Sequence, residues 1–219
     1  MKLALIRSTA AAVLLGSLAL TAPAMADDPA PAPAALDADA ARLSATGHSV
    51  KWNWVPPGRS ARYGHAETLI HAPLAAVRHL VVDYVRYREL APSITTSRVV
   101  GHEPDGASDV YLAMGVLNNT ISLWSVMRFA PLKAAPDGVE VVEGQMVPGK
   151  GNIDDSQLLW SMHAAGAEWT VLKLDLLLRP GVPAPQSLVD EQLRDSAMDA
   201  VNSVHDRAQG SRDFVPFSG

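Results

Sequence analysis

From Ser93 to Leu178 the sequence is a succession of short strand-like segments, and none of the gaps between them can hold a helix. Parallel neighbours need a crossover of a dozen or more residues, so these strands must pair antiparallel. The segments are Ser93–His102, Ala107–Leu117, Thr120–Phe129, Val139–Met146, Asp154–His163 and Glu168–Leu178. Between them stand turn signals: Pro104-Asp105-Gly106, Asn118-Asn119, Pro136-Asp137-Gly138, Pro148-Gly149 and Gly166. The reading predicts an α+β fold built on one antiparallel meander. Arg179-Pro180-Gly181-Val182-Pro183 ends the last strand, and Gln186–Gln209 then carries Val189, Leu193, Ala197, Ala200, Val201, Val204 and Ala208 at helical spacing.

Alternation along each strand sorts side chains into two faces. In Glu168–Leu178 the charges of Lys173 and Asp175 assign their face to solvent, which leaves Thr170, Leu172, Leu174, Leu176 and Leu178 pointing inward. In Asp154–His163 the inward set is Leu158, Trp160 and Met162. Two sets compete in Thr120–Phe129: Ile121, Leu123, Ser125, Met127 and Phe129, or Thr120, Ser122, Trp124, Val126 and Arg128. An apolar sheet face has to be covered, and the C-terminal helix is the available cover. Its small residues allow either close packing or an unfilled concavity; the pattern is compatible with both.

Upstream, Val50–Val55 alternates Val50, Trp52 and Trp54 against Lys51 and Asn53, as a half-buried core strand does. At the N-terminus, Lys2 and Arg7 precede the apolar run Ser8–Leu20, and Ala24-Met25-Ala26 supplies small residues for cleavage. That combination predicts an export signal over residues 1–26, cut after Ala26. Residues 27–47 are Ala-, Pro- and Asp-rich and read as a structureless linker. The folded domain is expected over 48–210, with a loose tail over 211–219. The chain has no cysteine and a formal net charge of −5 without any Lys/Arg cluster. Disulfides and thiolate chemistry are therefore excluded, and nucleic acid is not an expected partner.

Between these parts lies Ala66–Val100, a strand, a proline-started helix with Leu74, Val77, Leu80, Val81 and Val85 on its apolar side, and a second short helix. Its strand-to-helix junction, Ile70-His71-Ala72-Pro73-Leu74-Ala75-Ala76-Val77, is followed by Val82-Asp83-Tyr84, Tyr87 and Leu90-Ala91-Pro92. In this order, and ahead of serial strands and a long last helix, these pieces resemble the START/Bet v 1-like superfamily, which includes polyketide cyclase and coenzyme Q-binding domains. The likeness runs from about Gly64 to Ala208. It departs at Arg78-His79, where the group carries an aromatic. The resemblance implies a helix-grip fold: a curved antiparallel sheet wrapped around a long C-terminal helix, with two short helices after the first strand that plug one end of the sheet.

The resemblance also implies a cavity for a lipid, sterol, quinone or polyketide-like molecule. The wall expected for it is Leu123 or Trp124, Trp160, Leu172, Leu174, Leu176, Met198 and Val201. Glu143 would be a polar contact if its face were inward, although alternation against Val142 and Met146 assigns it to solvent. None of the seven histidines stands at metal-ligand spacing. His163 reads as a surface residue, and no residue is assigned a catalytic role. No metal and no cofactor is expected. The expected function is thus an exported carrier of a hydrophobic small molecule, in the periplasm or secreted, touching membrane surfaces transiently. The alternative is a cyclase, dehydratase or hydrolase using the same cavity.

Overall fold

The computed structural model describes residues 37–57, 61–116, 121–181 and 183–210. The expected export signal and tail lie outside the described residues, as does the linker up to residue 36. The elements are α1 (Ala38–Ala45), β1 (Ser49–Trp54), β2 (Tyr63–Ile70), α2 (Leu74–Val82), a 3-10 helix (Tyr84–Glu89) and β3 (Ile94–His102). There follow β4 (Ser108–Val116), β5 (Ile121–Phe129), β6 (Lys133–Ala134), β7 (Glu140–Gly151), β8 (Asp155–Ala164), β9 (Thr170–Arg179) and α3 (Gln186–Gly210). All strands join one antiparallel sheet, ordered β1-β2-β9-β8-β7-β5-β4-β3, with β6 added to β7. The sheet is curved and unclosed, and with α3 across it this is the helix-grip fold.

The inner face, toward α3, follows from register. Leu172, Leu174 and Leu176 stand opposite Thr68, Ala66 and Gly64 on one side and Met162, Trp160 and Leu158 on the other. Helix α3 crosses β2 so closely that a Cβ on Gly64 would lie 2.3 Å from the Leu193 carbonyl carbon. Along its length α3 is tied to the edge strand: Asn53 Nδ2 donates to Asp190 O at 2.8 Å, and Lys51 Nζ lies 2.9 Å from Asp195 Oδ1. Val77 and Val81 of α2 are fully buried in the same core. The 3-10 helix is locked by aromatics: Tyr84 stacks on Phe129 at 4.4 Å, and Tyr87 meets that ring edge-on at 5.5 Å.

Four expectations require correction. First, the linker expected over 27–47 does not extend to its end: Asp37 caps α1, its Oδ1 accepting from Ala40 N at 2.8 Å. Ala40 and Leu43 then pack on Leu69, Val171 and Ala165. Two apolar residues among many alanines were too faint a pattern to read as a helix face. Second, the outer face of β9 is not open to solvent. α1 and Trp54 of β1 cover part of it, so Asp175 is buried, accepting from Trp54 Nε1 at 2.6 Å. Third, β1 is a sheet edge and not a core strand, and Trp52 is exposed on the outer face, stacked on His65 at 4.1 Å. Fourth, Pro148-Gly149 does not end β7. Ser125 pairs with Gly151 and Met127 with Met146, so residues 147–150 bulge out and pairing resumes beyond them.

Candidate functional site

Under α3 the inner face of the sheet is not fully filled. A cavity of about 270 Å³ remains, close to the roughly 300 Å³ at which small-molecule sites begin. Its buried wall is built from β4 and β5 (Leu112, Leu123, Ser125, Met127), β8 and β9 (Trp160, Leu174), the 3-10 helix and its exit (Tyr87, Leu90, Ala91), and α3 (Leu193, Ala200). The mouth is formed by Ile121, the β9–α3 connection at Pro180, Pro183 and Ala184, and the first turns of α3 at Leu188 and Gln192.

Among the described residues, no Asp, Glu, Lys, Arg or His lines the cavity. Its polar side chains are Tyr87, Ser93, Ser125, Ser156, Gln192 and Ser196, with Trp160 Nε1. The Tyr87 hydroxyl donates to Val81 O at 2.7 Å and accepts from Trp160 Nε1 at 3.0 Å. Burial, reinforced by Tyr84, pushes its pKa well above the usual phenol value. The site therefore offers apolar burial and neutral hydrogen bonding, and none of its side chains titrates near neutrality. Among the described residues no cluster of His, Asp and Glu could hold a metal ion.

Of the expected wall residues, Leu123, Trp160, Leu174 and Leu176 line this cavity. Trp124 does not: it lies on the outer face, stacked on Tyr111 at 5.7 Å, so the Ile121–Phe129 alternative is the inward set. Leu172 and Val201 are fully buried in core packed beyond the cavity, and Met198 is packed against that core. Glu143 is exposed beside Lys133 on the outer face and makes no contact with the cavity. The helix residues were placed too late in α3. Its stretch from Leu188 to Ala200 roofs the cavity, and its far end is held at the 3-10 helix, where Arg207 Nη1 meets Glu89 Oε2 at 2.6 Å. The Arg78 departure leaves the wall untouched, because Arg78 turns aside to Glu140 with its Nε 2.6 Å from Oε2.

Sequence reasoning missed Tyr87, Leu90, Ala91, Leu112, Met127 and Leu193 as wall. The signal was partly present, since Met127 shares the inward set of Leu123 and Leu193 shares the apolar stripe of α3.

A second titratable group lies on the outer face. His65 is buried with Nδ1 2.7 Å from Asp175 Oδ1 and Nε2 3.0 Å from Glu67 Oε1. Burial opposes its charge, but the bonds to Asp175 and Glu67 outweigh it and raise the pKa above the usual histidine value. For Glu67 burial is likewise outweighed, by His65 and Arg42, and its pKa is lowered. Around this pair α1 is pinned by Arg42 to Glu67, by Asp39 to Lys173 at 2.6 Å, and by Asp37 to His163 at 2.7 Å. His163, expected at the surface, is thus a tether of α1 through Asp37.

No protein-family model and no curated protein matches the sequence. Solved structures do match the fold. A STAR-related lipid transfer protein from Xanthomonas axonopodis aligns at TM-score 0.62 and 16% identity, over 74% of this chain and 94% of that one. Human STARD10 aligns at TM-score 0.63 and 10% identity, over 76% of this chain and 71% of that one. A START superfamily protein from Mycobacterium smegmatis aligns at 0.56 and 16%, over 75% and 99%. The fold is START-like.

Proposed function

We propose that this START-like domain binds and carries a hydrophobic small molecule in the cavity beneath α3. One observation carries the reading: among the described residues, a buried apolar cavity has no charged side chain in its wall. Affinity in such a site comes from apolar burial, with a few neutral polar groups setting orientation. The similarity to a protein described as a lipid transfer protein supports the same reading. A cyclase, dehydratase or hydrolase would need an acid or base against its substrate, and the polar side chains that the described residues bring to the wall are hydroxyl, amide and indole groups.

The carrier works outside the cytoplasm, in the periplasm or secreted, after loss of residues 1–26. The charged start, apolar run and Ala24-Met25-Ala26 support this. Loading and release involve transient contact with a membrane surface, a reading supported by exposed Leu188 at the mouth. Native mass spectrometry of protein from its own periplasm tests the carrier function: a co-purifying lipophile is expected. Protein that arrives empty and takes up no lipophile overturns it. N-terminal sequencing of the same material is expected to begin at Asp27, and an intact Met1 would refute export.

A further inference from the structure

Resting on that reading, we infer that the ligand is an uncharged lipophile whose buried end bears a neutral oxygen, a hydroxyl or a carbonyl, hydrogen-bonded to Ser125. Two independent features lead there. The first is a wall without charge among the described residues: an ionised headgroup driven into the cavity would lose its hydration and find no cation among them in return. A carboxylate or phosphate at the inner end is thereby selected against, while a neutral oxygen needs only one partner.

The second feature is Ser125 itself. It is 1% exposed, on the inner face of β5 between Leu112 of β4 and Gly151 of β7. Its hydroxyl has no hydrogen-bond partner among the described residues, although every fully enclosed side-chain polar atom there has one. What little accessibility it keeps is toward the cavity it lines. The other buried polar groups of the wall are already engaged, Trp160 Nε1 with Tyr87 and the Tyr87 hydroxyl with Val81 O. Ser93, Ser156, Gln192 and Ser196 sit at partly or fully exposed positions, where water serves them. Among the described residues, Ser125 is therefore the one buried wall side chain with a hydrogen bond still to make. Position also matters, since β7 bulges away beside it: residues 147–150 leave the ladder between the pairs at Met127 and Ser125. A serine at a well-packed inward position costs burial of a polar group, and a ligand oxygen removes that cost.

Three probes separate the outcomes. Diphenylhexatriene is an apolar fluorophore without oxygen, retinol ends in a hydroxyl, and retinoic acid has the retinol skeleton ending in a carboxylate. Titrations at pH 8 are expected to show binding of diphenylhexatriene and retinol, with retinoic acid at least about tenfold weaker. Ser125→Ala is expected to weaken retinol about three- to tenfold and to bind diphenylhexatriene at least as tightly as wild type, which also shows that the variant is folded. Retinoic acid binding as tightly as retinol overturns the inference. So does Ser125→Ala leaving retinol unchanged, or weakening both neutral probes equally. In each of those results the carrier reading stands. If diphenylhexatriene and retinol both fail to bind the wild-type protein, the carrier reading falls and the inference with it.

Discussion

Replacing Gly64 by alanine adds one methyl group where the backbone of α3 already stands. The new Cβ would lie 2.3 Å from Leu193 C and 2.5 Å from both Leu193 O and Arg194 N. Ordinary contact begins at 3.4 Å, so α3 must retreat by about 1.1 Å. The clashing atoms are backbone, which no rotamer change can move aside. The retreat also stretches the Asn53–Asp190 bond and the Lys51–Asp195 pair. Overpacking of this kind costs about 1–3 kcal/mol, and a rigid neighbour puts Gly64→Ala in the upper half of that range. For a domain of this size about 2–3 kcal/mol lowers Tm by about 4–12 °C. Calorimetry of Gly64→Ala against wild type measures it, with Gly210→Ala as the control because a Cβ there meets nothing within 4 Å. Since Leu193 also lines the cavity, faster probe release should accompany the loss. A Gly64→Ala protein melting within about 1 °C of wild type, a surface-substitution effect, would show that α3 is not seated on β2 as described.

Leu174→Trp fills the inner cavity. It is expected to reduce lipophile uptake with the fold retained, and unchanged uptake would move the binding site elsewhere. Tyr87→Phe orphans the buried Trp160 Nε1 and Val81 carbonyl, at a cost of about 1–3 kcal/mol per group. Urea unfolding measures that cost, and an unchanged midpoint would refute the network. The His65–Glu67 pair predicts a stability window in pH. The raised His65 pKa contributes stability fully below about 6.5, lost as pH climbs through the folded value. The lowered Glu67 pKa contributes above about 4.3, lost as pH falls through its folded value. Thermal stability should therefore decline on both sides of that interval, and in His65→Phe the alkaline decline should flatten; an identical profile would remove His65 from the account. Glu143→Gln is expected to alter neither stability nor uptake, because the side chain is exposed.

The architecture was legible because strand periodicity, turn residues and the Ala72-Pro73 junction are local signals. The inward leucines of β9 were legible for the same reason. The outer face was not. Lys173 and Asp175 look like a solvated face, because nothing in Asp37–Ala45 announces a helix that brings Asp39 to Lys173 and Arg42 to neighbouring Glu67. Trp124 shows a different limit: alternation gave two candidate faces for β5, and only cross-strand register decides between them. Met198 and Val201 lie on the correct helix face. Which half of a 25-residue helix roofs a void depends on where the 3-10 helix and α2 fill the rest, and that is tertiary information.

The attachment of α1 has a consequence for how the molecule opens. Its grip on the sheet consists of Ala40 and Leu43 plus side-chain pairs to β2, β8 and β9, whereas each long strand is held by a full ladder. Free energies of local opening follow such differences. The amides of α1 should therefore exchange with solvent deuterium well before those of β8 and β9, and added salt, by screening the partly exposed pairs, should hasten α1 alone. A helix fastened by charge comes loose one layer at a time, leaving the cavity and its roof intact.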